Sequence, residues 1–228
     1  MKKILKHFKK NWYRYGLETL VVIVGILVAF TLNNWNEQRK DRILEREILV
    51  DLKLNLESNI TLLEGRVIYF SSGQTSSKII LDVIDNRLPN HDSLGYHFSK
   101  ATRGYGGADV ISYVGYEALR NNGFSLITNK SLKDEIMQLF ENTYRKLISF
   151  DETFKLNNSY YIEVLGKLFY QDKEFSLKPY DFDLILSTKN YYSALTDFRS
   201  NYGWVKEETN NGLSETRRVL QLIDDELK

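Results

Sequence analysis

The chain has 228 residues, 43% hydrophobic and 13% aromatic, which is enough apolar content for a folded domain and argues against long disordered stretches. It has no cysteine, which excludes disulfides, thiolate metal sites and a cysteine nucleophile. Residues 1–14 hold six of the 31 basic residues and no acid, and the 25 basic against 30 acidic residues that remain make the body a poor match for nucleic acid.

An apolar segment follows this basic leader, and residues 20–32 include no charge. Aromatic residues border it, with Trp12 and Tyr15 on one side and Trp35 on the other. At about 1.5 Å per residue of helix, the two tryptophans stand roughly 35 Å apart, close to the separation of the aromatic belts of a bilayer. We therefore predict a transmembrane helix over residues 15–35, with these three aromatic residues as membrane-interface anchors and the lipid bilayer as a partner.

A cleaved export signal and a buried core helix are the other interpretations of this segment. A signal peptide ends in a small-residue cleavage site, and no such site follows Ala29. A core helix does not account for the basic leader and the bordering tryptophans. The leader also carries more basic residues than the four found shortly after Trp35, which favours a cytoplasmic N-terminus.

One face of the predicted span carries small and polar residues. Glu18, Gly25, Ala29 and Asn33 recur at helical spacing, and the glycine and alanine form a small-xxx-small pair that lets another helix approach closely. We predict a packing face here, for a second copy of the chain or for a partner membrane protein. Two alternatives stay open: lipid contact along this face, and a Glu18 that only pairs with Arg14 near the interface.

The string ETLVVIVGILVAFTLNNWNE, residues 18–37, resembles the N-terminal signature E-x6-G-I-x2-A-x3-N-N-W-N-E of a bacterial family of single-span membrane proteins of unknown function. Leu17 stands where the family usually has glycine. A second stretch, residues 116–141, is similar to a later block of that family. The resemblance implies a bacterial inner-membrane protein with a cytoplasmic N-terminus and a periplasmic C-terminal domain, and it implies no particular activity.

Helical spacing of apolar residues dominates the next region, residues 36–88, which we predict to form a stem helix or helices. The stripe follows steps of three and four and consists of Leu49, Leu52, Leu56, Ile60, Leu63, Val67 and Phe70. Such a stripe suits either a coiled-coil stem or one wall of a bundle. The polar stretch ending at Gly73 predicts a break in the helix near residues 71–73.

Residues 89–228 are predicted to form an extracytoplasmic helical domain. Six of the 13 glycines fall between Pro89 and Thr128, which predicts loop with one short helix over residues 113–121. Ser131 and Asp134 resemble a capping box that starts a long helix. A second long helix follows Pro179, with a stripe made of Tyr191, Leu195, Phe198, Tyr202, Val205, Thr209, Leu213, Thr216, Val219, Ile223 and Leu227.

Two such helices would lie antiparallel and need a third to cover their apolar faces, and the stem can supply it. Only residues 182–186 alternate in the manner of a strand, and one strand cannot make a sheet. The predicted fold class is therefore all-α: an N-terminal transmembrane helix, with residues 1–14 as its leader, that continues into an elongated helical bundle.

We predict no catalytic, cofactor or metal site. His91, Asp92 and His97 lack a further ligand at a recognisable spacing. The stretch from Gly73 to Lys78 has some residues of a phosphate loop but not its second glycine or its preceding strand, which favours a polar break in the helix. No G-x-S-x-G motif occurs, so a hydrolase has no support.

The region from Tyr96 to Phe124, rich in glycine and tyrosine, is the best candidate for recognition, because loops on a rigid scaffold commonly carry function. Its tyrosines form the predicted recognition loop: Tyr96, Tyr105, Tyr113 and Tyr116. Aromatic residues at helical spacing are more often core, which is the alternative.

These observations predict a membrane-anchored, non-enzymatic scaffold or interaction subunit. We expect it to be oligomeric through the Gly25/Ala29 face and the apolar stripe of residues 49–70. The alternative function is an extracytoplasmic ligand sensor. With only about 14 residues before the span, such a sensor would have to act through a partner membrane protein.

Overall fold

The structure is a computed structural model that describes residues 2–89, 93–102, 111–173 and 177–228, without the side chains of residues 2–12, 14, 15 and 155–160. The chain divides into two compact units, Met1–Ile48 and Leu49–Lys228. Helix α1, Lys2–Ile84, contributes residues to both units. The stem residues from Leu49 onward therefore belong to the same compact unit as the rest of the helical domain.

Helices make up nearly all of the described second unit, and the predicted all-α class is confirmed. After α1 come α2 (Leu94–Thr102), α3 (Val114–Asn122), a 3-10 turn (Phe124–Leu126), α4 (Lys130–Gln138), a π-helical segment (Leu139–Tyr144), α5 (Arg145–Leu168), α6 (Phe182–Ser187) and α7 (Lys189–Glu226). Strands β1 (Phe169–Gln171) and β2 (Leu177–Pro179) form a short antiparallel hairpin, with Tyr170 opposite Lys178.

The apolar stripe of α1 faces the core as predicted. Leu52, Leu56 and Leu63 are 0% exposed, and the other members of the stripe are buried or half-buried. Contacts at Lys53–Asp224 and Phe70–Tyr202 run in opposite directions along the two helices, so α1 and α7 are antiparallel.

The predicted break near residues 71–73 is wrong, because α1 continues through Gly73 to Ile84. A Cβ atom at Gly73 would lie 2.9 Å from the ring of Tyr202, so the glycine makes room for this buried aromatic side chain of α7. The hydroxyl of Ser77 donates to the Gly73 carbonyl at 2.9 Å and needs no other partner. Tertiary packing thus outweighs the low helix propensity of glycine, which costs about 1 kcal/mol.

Helix α1 ends in a Schellman motif. Asn86 adopts a left-handed conformation with φ 57°, its N–H donates to Val83, and the N–H of Arg87 donates to Asp82 at 2.8 Å. These bonds satisfy carbonyls that the last helical turn leaves without partners.

The long helical stretch of α4, the π segment and α5 is capped two residues earlier than predicted. The N-cap is Asn129, whose side chain accepts from the N–H of Leu132, so the Ser131/Asp134 capping box is not used. Helix α7 has 38 residues, and its predicted stripe is buried from Tyr191 to Ile223.

Helices α1, α5 and α7 meet in an aromatic core, which confirms that the stem supplies the third helix. The cluster contains Phe70 from α1, Phe154 from α5, and Ala194, Phe198, Tyr202 and Val205 from α7. An ion pair lies beside it: Arg66 of α1 donates through both terminal nitrogens to Asp151 of α5, at 2.7 and 3.0 Å, and both side chains are 3% exposed or less. The pair joins α1 to α5 inside the core.

The β1/β2 hairpin was not predicted, and two of the shorter helices also differ from expectation. Residues 182–186 are helical rather than extended, because Asp181 caps α6 by accepting from the N–H groups of Asp183 and Leu184. Helix α2 was not predicted; its Phe98 and Ala101 enter a second core cluster with Ile80 and Tyr191.

Candidate functional site

The apolar segment of α1 is exposed all round. Its large apolar side chains between Leu17 and Leu32 are each 48–66% exposed. By length and composition, α1 can cross a membrane. An apolar surface this continuous is unusual on a soluble protein and marks a place where something else covers it.

The predicted packing face lies within this exposed segment. A Cβ atom at Gly25 would meet nothing within 4 Å, so the surface beside it is open to another helix. Asn33 donates to Glu37 at 3.0 Å on the same helix. Ala29 and Glu18 are exposed as well.

Of the predicted interface anchors, Trp35 is 62% exposed. The side chains of Trp12 and Tyr15 lie outside the described residues.

The apolar stripe of residues 49–70 is not available for oligomerisation, which corrects one half of the assembly prediction. Its side chains pack against α5 and α7 of the same chain, as the pairs of Phe70 with Phe154 and Tyr202 show. A partner helix could reach these residues only by displacing the domain's own core.

The predicted recognition tyrosines do not form one surface. Tyr116 is 1% exposed and stacks on Phe140 with ring centroids 4.5 Å apart, so it is a core residue. Its hydroxyl donates to Glu141 at 2.8 Å, and burial, followed by this bond, raises the pKa of Tyr116. Half-buried Tyr113 joins the same cluster through Phe140.

Only Tyr96, at 56% exposure, presents its ring to solvent among the recognition tyrosines that the structure describes, and Tyr105 lies outside the described residues. Tyr96 lies on α2, with the ammonium of Lys100 5.6 Å from its ring centroid. A recognition surface built from all four tyrosines is therefore excluded by the burial of Tyr116.

Sequence reasoning missed the π segment. Widened helical turns of this kind are rare and occur frequently at functional sites. Here Leu139, Phe140 and Tyr144 are all buried, and Tyr144 shares a 3.0 Å hydrogen bond with Thr216 of α7. Burial raises the pKa of Tyr144 to about 12, although the hydrogen bond to Thr216 acts in the opposite direction. The sequence has no specific signal for this segment, because adjacent apolar pairs such as Ile79 and Ile80 also occur in ordinary α-helix of this chain.

A polar cleft of about 210 Å³ lies where the π segment and the start of α5 meet α7. One wall carries Gln138, Asn142, Thr143 and Lys146, and the α7 wall carries Glu208, Asn211 and Glu215. A Cβ atom at Gly212 would lie 3.0 Å from Leu147, so this glycine allows the two walls to approach closely.

Hydrogen bonds hold most of these side chains in place. Lys146 contacts Glu208 at 2.8 Å, Asn142 donates to Gln138 at 2.7 Å, and Thr143 donates to Glu215. The cleft therefore presents ordered hydrogen-bond donors and ordered hydrogen-bond acceptors.

The described residues give no support for a metal site. No group of three or more histidine, aspartate or glutamate side chains comes together among them. His97 shares a 3.1 Å hydrogen bond with Ser76 of α1, and His91 and Asp92 lie outside the described residues.

Comparison with known proteins identifies no relative of this chain. No protein-family model matches the chain, and no similar protein is found among curated proteins or solved structures. The family resemblance therefore rests on residues 18–37 and 116–141 alone.

Proposed function

We propose that the protein is a non-enzymatic interaction subunit of the bacterial inner membrane, anchored by residues 15–35. The observation that carries this proposal is the all-round exposure of the apolar side chains between Leu17 and Leu32. Fully burying a side chain of this type is worth about 1.5–3 kcal/mol, and lipid provides the apolar surroundings that the described chain does not.

The charges beside the span support a cytoplasmic N-terminus. Six basic residues precede the span, and Arg39, Lys40, Arg42 and Arg46 follow it. Basic residues near a span are retained on the cytoplasmic side, so the larger group sets the orientation. The helical domain then lies in the periplasm.

Assembly in the membrane would use the Gly25/Ala29 face, against a second copy or a partner membrane protein. Small residues allow helix backbones to approach, which provides packing energy where lipid removes the hydrophobic driving force. The open space beside Gly25 supports this role.

A pair of reporter fusions at Lys228 tests the orientation. A phosphatase that is active only outside the cytoplasm should be active, and a fluorescent reporter that matures only inside should be dark. The reverse pattern, a soluble wild-type protein, or a mature chain that lacks the span would refute the proposal.

Membrane extraction tests the anchor. Replacing Val24 and Val28 with arginine should release the protein from the membrane, because each central arginine costs about 2.5–3.5 kcal/mol of insertion. Ile162→Arg is the matched control, since Ile162 is 65% exposed and lies in the helical domain. Release by the control as well would show that the effect is not specific to the span.

Crosslinking in native membranes tests assembly. We expect the wild type to give dimers or a defined heteromer, and Gly25→Leu to reduce their yield. Gly166→Leu is the control, because a Cβ atom at Gly166 on α5 also meets nothing within 4 Å. Monomer alone in the wild type rules out association through this face.

A ligand sensor is the second candidate, and the cleft beside the π segment favours it. Such a sensor would bind a small molecule in the helical domain and signal through a partner. A compound that raises the melting temperature of the full chain, and that loses this effect in Asn211→Ala, would favour the sensor over the scaffold.

A further inference from the structure

An exposed aromatic pair lies next to the polar cleft. Trp204 of α7 is 49% exposed, and its ring contacts that of half-buried Phe150, with centroids 4.1 Å apart and ring planes tilted by 55°. The contact with Phe150 restricts the indole, while about half of the Trp204 side chain stays open to solvent. An indole fixed in this way is a flat apolar platform at the surface.

Lys146 and Glu208 connect this platform to the cleft. The Lys146 ammonium lies 5.5 Å from the Phe150 ring centroid, and it contacts Glu208, which stands one helical turn after Trp204. Both charged residues also line the cleft. The platform and the polar groups are therefore parts of one surface.

Several polar groups of the cleft keep hydrogen-bonding capacity for a ligand. The amide of Asn211 makes no hydrogen bond with any described residue, although it offers two donors and an acceptor. Glu208 accepts from Lys146 through one carboxylate oxygen, which leaves its other oxygen available. Asn142 donates to Gln138 and retains its carbonyl oxygen.

We propose that this surface binds a neutral sugar ring, stacked on Trp204 with its hydroxyls in the cleft. One face of a pyranose carries C–H groups of slight positive charge, which suit the negative face of an indole. The ring's edge carries vicinal hydroxyls, each both donor and acceptor, which suit amides and carboxylates. A platform beside a row of amide and carboxylate groups matches both halves of such a ligand.

The volume and the charge of the cleft further restrict the class of ligand. The volume of about 210 Å³ is below the roughly 300 Å³ at which drug-sized pockets begin, so it accommodates one ring rather than a folded peptide segment. Two carboxylates against one ammonium disfavour an anionic sugar. The inference goes beyond the proposed function, since it does not depend on membrane anchoring.

Calorimetric titration of the full chain, purified in a detergent without a sugar headgroup, tests the proposal. The probes are maltose, cellobiose, lactose and diacetylchitobiose. At least one should bind, and Trp204→Ala should weaken that binding by about tenfold or more, equivalent to about 1.4 kcal/mol. Trp204→Phe should weaken it less, because the smaller ring retains part of the platform.

Asn211→Ala provides a second variant that leaves the fold intact, because the Asn211 side chain is exposed. It should also weaken binding, whereas Trp35→Ala, which removes another exposed tryptophan, should not. Absence of heat for all four sugars at millimolar concentration, or binding that neither Trp204→Ala nor Asn211→Ala affects, would overturn the proposal. Failed anchoring would leave the titration unchanged, so the two hypotheses fail separately.

Discussion

Two segments of α1 contain similar apolar residues in different surroundings. Between Leu17 and Leu32 the apolar side chains point in every direction and all are exposed. Between Leu49 and Phe70 they keep to one face, and that face is buried against α5 and α7 of the same chain. A one-sided stripe can therefore be buried within the chain, whereas the all-round apolar surface has no such cover among the described residues and is the basis of the proposed span.

Glycines mark the same contrast. Beside Gly25 there is open space, but a Cβ atom at Gly115 would lie 2.9 Å from the backbone of Leu52. Gly115 belongs to α3, and it lets this helix approach the backbone of the second segment closely. Among the described residues, no neighbour of this kind lies beside Gly25.

The prediction with the largest expected effect tests whether residues 49–70 of α1 are held in place by α5 of the same chain. Asp151→Ala should lower the free energy of unfolding by about 3–5 kcal/mol, because it leaves the Arg66 guanidinium buried without its partner. Chemical denaturation measures this loss. Arg66→Met combined with Asp151→Leu should recover most of it, and Glu152→Ala, an exposed neighbour, should have little effect. A loss below about 1 kcal/mol would mean that the pair is solvated.

Alkaline pH should destabilise the helical domain through Tyr144, which packs on Phe140. The pKa of Tyr144 is about 12 in the folded protein and about 10 when unfolded, so the folded state retains the proton longer. The stability this provides is complete below pH 10 and falls by about 3 kcal/mol as the pH rises through 12. Tyrosinate absorbance followed with circular dichroism should show ionisation coupled to unfolding, and Tyr144→Phe should shift the midpoint upward. Smooth ionisation of a still-folded chain would contradict this.

Two glycines of α1 allow a matched test. Gly73→Ala should destabilise the protein by about 1–3 kcal/mol, because the added methyl group would meet the Tyr202 ring at 2.9 Å. Gly65→Ala should stabilise it by about 0.5–1 kcal/mol, since nothing lies within 4 Å and alanine favours helix. Melting temperatures that move in the same direction for both variants would refute the packing described at Gly73.

The smallest effect concerns two tyrosines of α7. The hydroxyl of Tyr191 is buried without a hydrogen-bond partner among the described residues, whereas that of Tyr202 donates to the Ala101 carbonyl at 3.0 Å. Tyr191→Phe should therefore be neutral or slightly stabilising, and Tyr202→Phe should cost about 1 kcal/mol. Denaturant midpoints compare them, and the opposite order would place an internal water at Tyr191.

Periodicity allowed most of the fold to be predicted. Each stripe residue of α7 from Tyr191 to Ile223 is buried. A long amphipathic helix repeats its apolar residues every three or four positions, so the buried face can be recognised in the sequence. The break predicted at Gly73 is wrong because the effect of this glycine on the helix depends on packing against Tyr202, a residue distant in sequence. Helix α6 was missed because the cap at Asp181 decides it.

The candidate sites were less accessible to sequence reasoning. The Gly25/Ala29 face was found from spacing, and its role remains a prediction. The cleft was missed because its walls come from residues about 70 apart, such as Thr143 and Glu215. Tyr116 was placed in a recognition loop because composition alone does not distinguish a core aromatic residue from an exposed one.

The support that Phe150 gives to Trp204 also provides an optical probe. The chain has three tryptophans, and Trp204 is the only one after Trp35. Tryptophan emission from a chain with phenylalanine at positions 12 and 35 would come from Trp204 alone, beside the cleft. If the proposed anchor is correct, brominated acyl chains should quench Trp35 and leave the emission of Trp204 unchanged, so fluorescence would distinguish the span from the helical domain.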